Sequence, residues 1–181
     1  MKKNLLKAIL FVMFAVFAVS CTDDQSAVEM NESNKDFNLK ATGSVWDGVI
    51  GVVQNGQYII TVPKERLLAE MQQMVKNQGY NEQLDQVSIV KKIPTNNPTV
   101  DAYMVIATAP SANSFATGVM LTLNSSNQFT VDRTFGGNGT TCTGCATGCN
   151  LRVLTEGTTK IPYCDENGCI YNCVKSESSF Y

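Results

Sequence analysis

Residues 49–79, VIGVVQNGQYIITVPKERLLAEMQQMVKNQG, carry two periodicities back to back. The first half is two β-rich runs, 49–53 and 58–62, around Gln54-Asn55-Gly56-Gln57. Asn-Gly accepts the positive φ values of a type I′ turn, so this half reads as a β-hairpin. The second half switches to a helical period. Leu67, Leu68, Met71, Met74 and Val75 fall at i, i+1, i+4, i+7 and i+8, which is one face of a 3.6-residue repeat. Pro63 suits the first turn, where its missing N–H costs nothing. Gly79 suits the stop, because it enters the left-handed region without a Cβ clash. The spacing predicts a helix over 63–78. Two methionines on such a face are core filler before they are a soft-metal site.

Downstream the period returns to two. Strands are expected at 86–92, 102–109, 117–123 and 128–131, with Asn124-Ser125-Ser126-Asn127 as a turn. The 102–109 run is nearly continuously apolar, as a central strand is. In 117–123, Val119, Leu121 and Leu123 share one face, with Met120 and Thr122 on the other. The order is ββαβββ(β). A lone amphipathic helix has to bury its stripe, and a sheet face is the surface on offer. The expected class is therefore α+β: an antiparallel sheet of about five or six strands with one helix on one face. This order is similar to cystatin-like folds. Cystatin inhibitors carry Gln-x-Val-x-Gly, whereas the nearest stretch here is Gln86-Val87-Ser88-Ile89-Val90, so no function is carried across.

The N-terminus is a different kind of sequence. Lys2, Lys3 and Lys7 precede the apolar run 8–19, which is shorter than the ~20 residues a membrane span needs. Small residues and Cys21 follow, in Ala18-Val19-Ser20-Cys21. This resembles a bacterial lipobox, with Ala18 where the best matches have Leu. Thr22-Asp23-Asp24 after it resembles the acidic tract of surface lipoproteins of Bacteroidota. The resemblance covers about the first 25 residues and implies cleavage after residue 20, acylation (palmitate) of Cys21 and membrane attachment in the cell envelope, at the outer membrane. The competing readings are a plain cleaved secretory signal and an uncleaved anchor. Residues 21–44 are polar and apolar-poor, the composition of a flexible tether. A docked segment is the alternative, through Phe37 and Leu39.

Composition excludes several chemistries. Histidine is absent, which removes Ser-His-Asp triads, Cys-His dyads and every His-containing zinc set. Beyond residue 20, eleven basic residues face sixteen acidic ones, with no Lys/Arg stripe, so nucleic acid is not an expected partner. No second long apolar run follows the first.

After Gly136-Gly137-Asn138-Gly139, which reads as a linker, come Cys142, Cys145, Cys149, Cys164, Cys169 and Cys173. Seven cysteines is odd for an exported chain. Giving Cys21 to lipid leaves six, which make three disulfides in an oxidising envelope. A tail this poor in apolar residues needs such cross-links. Alternatives are an iron–sulfur cluster, a four-thiolate zinc site, or a redox Cys142-Thr143-Gly144-Cys145. The first misses the ferredoxin spacing, and the last lacks a helix to lower its thiol pKa. Minor candidates are Lys64, Glu65 and Arg66 at the helix start, Asp165, Glu166 and Asn167 as cation ligands, and Trp46 and Tyr58 as groove aromatics.

The expectation is thus a signal peptide (1–20), a tether (21–44), an α+β domain (45–135) that folds alone, and a cysteine-rich tail (136–181). It is a non-catalytic binding or assembly module without cofactor, whose partners are the membrane and an unidentified envelope protein or small ligand. The alternative is an envelope thiol-redox or metal-carrying protein.

Overall fold

The computed structural model describes residues 43–109, 115–144, 150–166 and 173–180. The expected signal peptide, Cys21 and almost all of the tether lie outside them, as do Cys145, Cys149, Cys169 and Asn167. Ala41–Tyr181 forms one compact unit. No helix among the described residues is long and apolar enough to cross a membrane.

The opening stretch folds as its periodicities imply. Strands β1 (Gly51–Gln54) and β2 (Gln57–Ile60) pair antiparallel around Asn55 and Gly56, whose φ values are 53° and 75°. Helix α1 (Lys64–Asn77) follows Pro63. Its end is a left-handed Gly79 (φ 88°), and the Tyr80 N–H returns to the Val75 carbonyl at 3.1 Å. Leu67, Met71, Met74 and Val75 are buried, while Leu68 sits half-buried at the margin of the stripe.

Strands β3 (Gln86–Lys92), β4 (Ala102–Thr108), β5 (Ala116–Leu123) and β6 (Gln128–Val131) stand where the alternation places them. β4 is central, with β3 on one edge and β5 on the other.

The sheet is larger than expected, and it takes in the cysteine region. A 3-10 turn, η2 (Arg133–Phe135), follows β6. Asp132 caps it by accepting from the Thr134 N–H at 2.9 Å and the Thr134 hydroxyl at 2.6 Å. Gly136 and Gly137 (φ 72° and 63°) complete the turn. Asn138 and Gly139, expected in a linker, already belong to β7 (Asn138–Thr143). β7 runs along the same edge of β5 that β6 occupies: β6 takes Leu121–Leu123 and β7 takes Ala116–Val119. β10 (Val174–Ser179) then adds to β7 over its whole length. The result is eight strands ordered β10-β7-β5-β6-β1-β2, with β4 and β3 branching from the far edge of β5.

The two strands sharing one edge of β5 draw the sheet apart on that side. It curls into a half-barrel, with β2 and β3 side by side but not hydrogen-bonded. Gly51 permits the curl. A Cβ there would meet the Ile59 carbonyl oxygen and lie 2.5 Å from Ile89 Cδ1.

Alternation sorts the side chains into two cores. On the concave face Val105, Ala107, Val119, Leu121 and Phe129 pack with α1. Trp46, on the 3-10 turn η1 (Val45–Asp47), joins them, with its ring 4.8 Å from that of Phe180. Tyr58, Tyr103 and Phe129 form a ring cluster with centroids 5.2 to 5.7 Å apart. Trp46 and Tyr58 are therefore packing residues. Ser44, expected in the tether, is tied to the folded body. The Ser44 hydroxyl donates to Glu70 Oε2 at 2.9 Å and accepts from the Trp46 N–H.

On the convex face Ala102, Met104, Met120 and Cys142 make a second core. It is roofed by a hairpin, β8 (Asn150–Glu156) and β9 (Thr159–Asp165), whose Leu151 and Val153 point down onto the sheet. The layers are helix, curled sheet and hairpin.

Candidate functional site

The hairpin is held to the sheet at both ends. At one end Cys142 on β7 is disulfide-bonded to Cys164 on β9, across 22 residues of sequence. At the other, the Asn96 side chain makes a two-way amide bond to Thr155. Its Oδ1 accepts from the Thr155 N–H at 2.8 Å, and its Nδ2 donates to the Thr155 carbonyl at 2.7 Å. The Thr95 N–H donates to the Val153 carbonyl at 2.9 Å, and the Tyr163 hydroxyl to Thr95 Oγ1 at 3.1 Å. The hairpin is thus a fixed roof.

Cys173 is also disulfide-bonded. Because Cys142 and Cys164 are joined to each other, its partner lies outside the described residues, with Cys145, Cys149 and Cys169. Cys142 is fully buried and bonded to Cys164, so it does not close the C-x-x-C pair with Cys145. Replacing Cys142 and Cys164 together by Ala should cost about 3 kcal/mol, the loop-closure value for a ring of this size. That corresponds to a midpoint about 10 °C lower for a domain of this length. Differential scanning calorimetry of the double variant against the parent checks it.

The remaining described candidates sit apart. Arg66 bridges to Glu70 at 3.6 Å and donates to the Gly43 carbonyl, so it clasps the Gly43 backbone to α1. Asp165 is ion-paired with Arg152, Oδ2 to Nε 3.0 Å. Among the described residues no three Cys, Asp or Glu side chains converge as a metal site would require.

The structure forms a groove that the sequence did not announce. It lies where the end of β3 diverges from the start of β8, with a volume of about 440 Å³. Its walls are Lys91, Lys92, Ile93, Asn150, Arg152 and Val153. Lys91 turns to Asp101, 2.8 Å away. Lys92, on the opposite face of the strand, has no carboxylate partner among the described residues. Burial first, and the Arg152 guanidinium second, hold its ammonium below the ordinary lysine range. The signal in the sequence, Lys91-Lys92 beside Arg152, is scattered over 61 positions and becomes a cluster only through the hairpin's docking.

The depression has a sign that can be tested. The folded chain binds the Lys92 proton less tightly than the unfolded chain does. The charged group therefore opposes folding at neutral pH and stops opposing it as pH rises through its lowered value towards that of a free lysine, about 10.4. Lys92→Met should be more stable than the parent at pH 7, and the gap should narrow by pH 10. Urea midpoints at the two pH values measure this.

No family model matches the chain, and neither does any curated protein or solved structure.

Proposed function

We propose that this chain is a cell-envelope lipoprotein, anchored by acyl groups on Cys21, whose folded body binds or assembles rather than catalyses. The observation that supports it most is the state of the described cysteines: Cys142, Cys164 and Cys173 are all in disulfides. Such bonds persist in oxidising compartments and are rare where thiols are kept reduced. This agrees with the export signal expected in residues 1–20. It also fits the parity of the chain, in which seven cysteines less one acylated residue make three bridges.

The architecture supports binding over thiol chemistry. A redox centre needs an accessible thiolate of low pKa. Cys142 instead spends its sulfur, buried in the convex core, on fixing the hairpin. What the hairpin then offers to solvent is a polar, cationic groove with rigid walls, the kind of feature that fixes a ligand's orientation.

The test is one intact-mass measurement on native protein from membranes, followed by alkylation without reduction. The expected mass is that of the chain from Cys21 with its acyl groups and three disulfides, and no cysteine is labelled. An unacylated Cys21, or two labelled thiols at Cys145 and Cys149, would overturn it.

A further inference from the structure

We infer that the groove between β3 and β8 is a ligand site for a small acidic organic molecule, whose oxyanion is held between Lys92 and Arg152. This rests on the reading of the folded body as a binding module and not on the lipid anchor.

The argument begins with charge accounting inside the groove. Lys91, Lys92 and Arg152 line it. Two carboxylates answer them: Asp101 takes Lys91 at 2.8 Å and Asp165 takes Arg152 at 3.0 Å. One positive charge is left over, and it is the one on Lys92, a half-buried side chain. A partly desolvated ammonium next to a guanidinium is unfavourable by itself, because each raises the cost of the other. An anion between them reverses the sign of both interactions. The chain is acidic overall, so a cationic groove is not simply a local sample of its surface.

The geometry of Arg152 adds selectivity. Asp165 engages Nε, which leaves the two terminal nitrogens without an acceptor among the described residues. A guanidinium held by one face of its fork presents a planar pair of donors, suited to two oxygens of one carboxylate or phosphate. Lys92 supplies a point charge beside it. Asn150, also on the wall, can donate and accept, as a hydroxyl-bearing ligand requires.

Size and lining describe the rest of the ligand. A bare inorganic anion would fill a small part of 440 Å³. Ile93, 59% exposed, is the most exposed large apolar side chain among the described residues and lines the groove. An oxyanion on a ring-sized, partly apolar scaffold uses both features, as an acidic sugar does. The walls are fixed, because the Thr95 and Asn96 bonds to β8 and the Cys142–Cys164 disulfide set their separation. Little ordering is therefore left to oppose binding.

The experiment titrates the full-length protein in neutral detergent micelles by calorimetry. The probes are glucose 6-phosphate, glucuronate, inorganic phosphate and glucose. Saturable binding is expected for glucose 6-phosphate or glucuronate, weaker binding for phosphate, and none for glucose. Which of the two sugars binds more tightly identifies the oxyanion as phosphate or carboxylate. Lys92→Gln should weaken binding at least tenfold, Lys92→Arg should restore most of it, and added salt should weaken it. Circular dichroism of each variant must match the parent. Equal binding by Lys92→Gln and the parent, equal binding of glucose, or no heat from any probe would each overturn the site. None of these variants touches Cys21, so the acyl mass and membrane fraction report on the envelope reading separately.

Discussion

A chain ending at Phe135 is expected to show no cooperative unfolding transition by urea or heat. The sequence alone points the other way, since residues 45–135 have their own helix stripe and alternating strands. The topology decides it. Cutting there removes β7, the partner of Ala116–Val119 on β5, and with it β10. It takes Phe180 from the Trp46 ring and opens the floor beneath Met74, whose Sδ would lie 2.7 Å from a Cβ at Gly139. It also strips the convex face. Met104 and Met120, at 0% and 2% exposure, lose Cys142, Leu151 and Val153. Re-exposing a buried side chain of this size costs about 1.5–3 kcal/mol. Three or four such losses, with the unpaired edge of β5, match the whole 5–15 kcal/mol of an ordinary domain. A sharp two-state transition in the shortened chain, at a midpoint near that of the parent, would show that the tail strands are an ornament on a complete domain.

Cys21→Ala is expected to move the protein from the membrane fraction to the soluble one, or to leave it uncleaved. Each buried methylene contributes about 0.8 kcal/mol, and two or three acyl chains hold stably where a single chain does not. No helix among the described residues is long and apolar enough to span a bilayer. Detergent-phase partitioning of parent and variant reads this directly. Unchanged partitioning with normal cleavage would remove the lipoprotein proposal and leave the fold and the groove untouched.

The legible part of the fold was the part that buries one face. α1, the Asn55-Gly56 hairpin and β3 to β6 all show clean periods, because one side meets the core and the other meets water. β7 was hidden because it is built of small residues and buried on both faces. Gly139 lets Met74 approach, and Thr141 donates to Thr117 across the ladder at 2.9 Å, so no apolar alternation marks it. β10 was hidden for the opposite reason. As an edge strand with charged and hydroxyl side chains, it shows no buried stripe, and its Ser176 and Ser178 reach Tyr80 and Gln78 by hydrogen bonds. β8 does alternate, Leu151 and Val153 against Asn150 and Arg152, but the surrounding cysteines invite a reading in terms of cross-links alone. The disulfide expectation named the right chemistry for Cys142 and Cys164. The groove was not legible because its two unlike walls are brought together only by the docking of the hairpin, an event no local pattern encodes.

The contact between Trp46 and Phe180 joins the first described turn to the last described residue. A ribosome releases these residues in order, so the concave core has no complete wall until Phe180 is out. Contacts of such long sequence separation form late and slowly. The stretch from Trp46 onward is therefore released as an open, unsealed polymer, and the concave core closes only once Phe180 has followed.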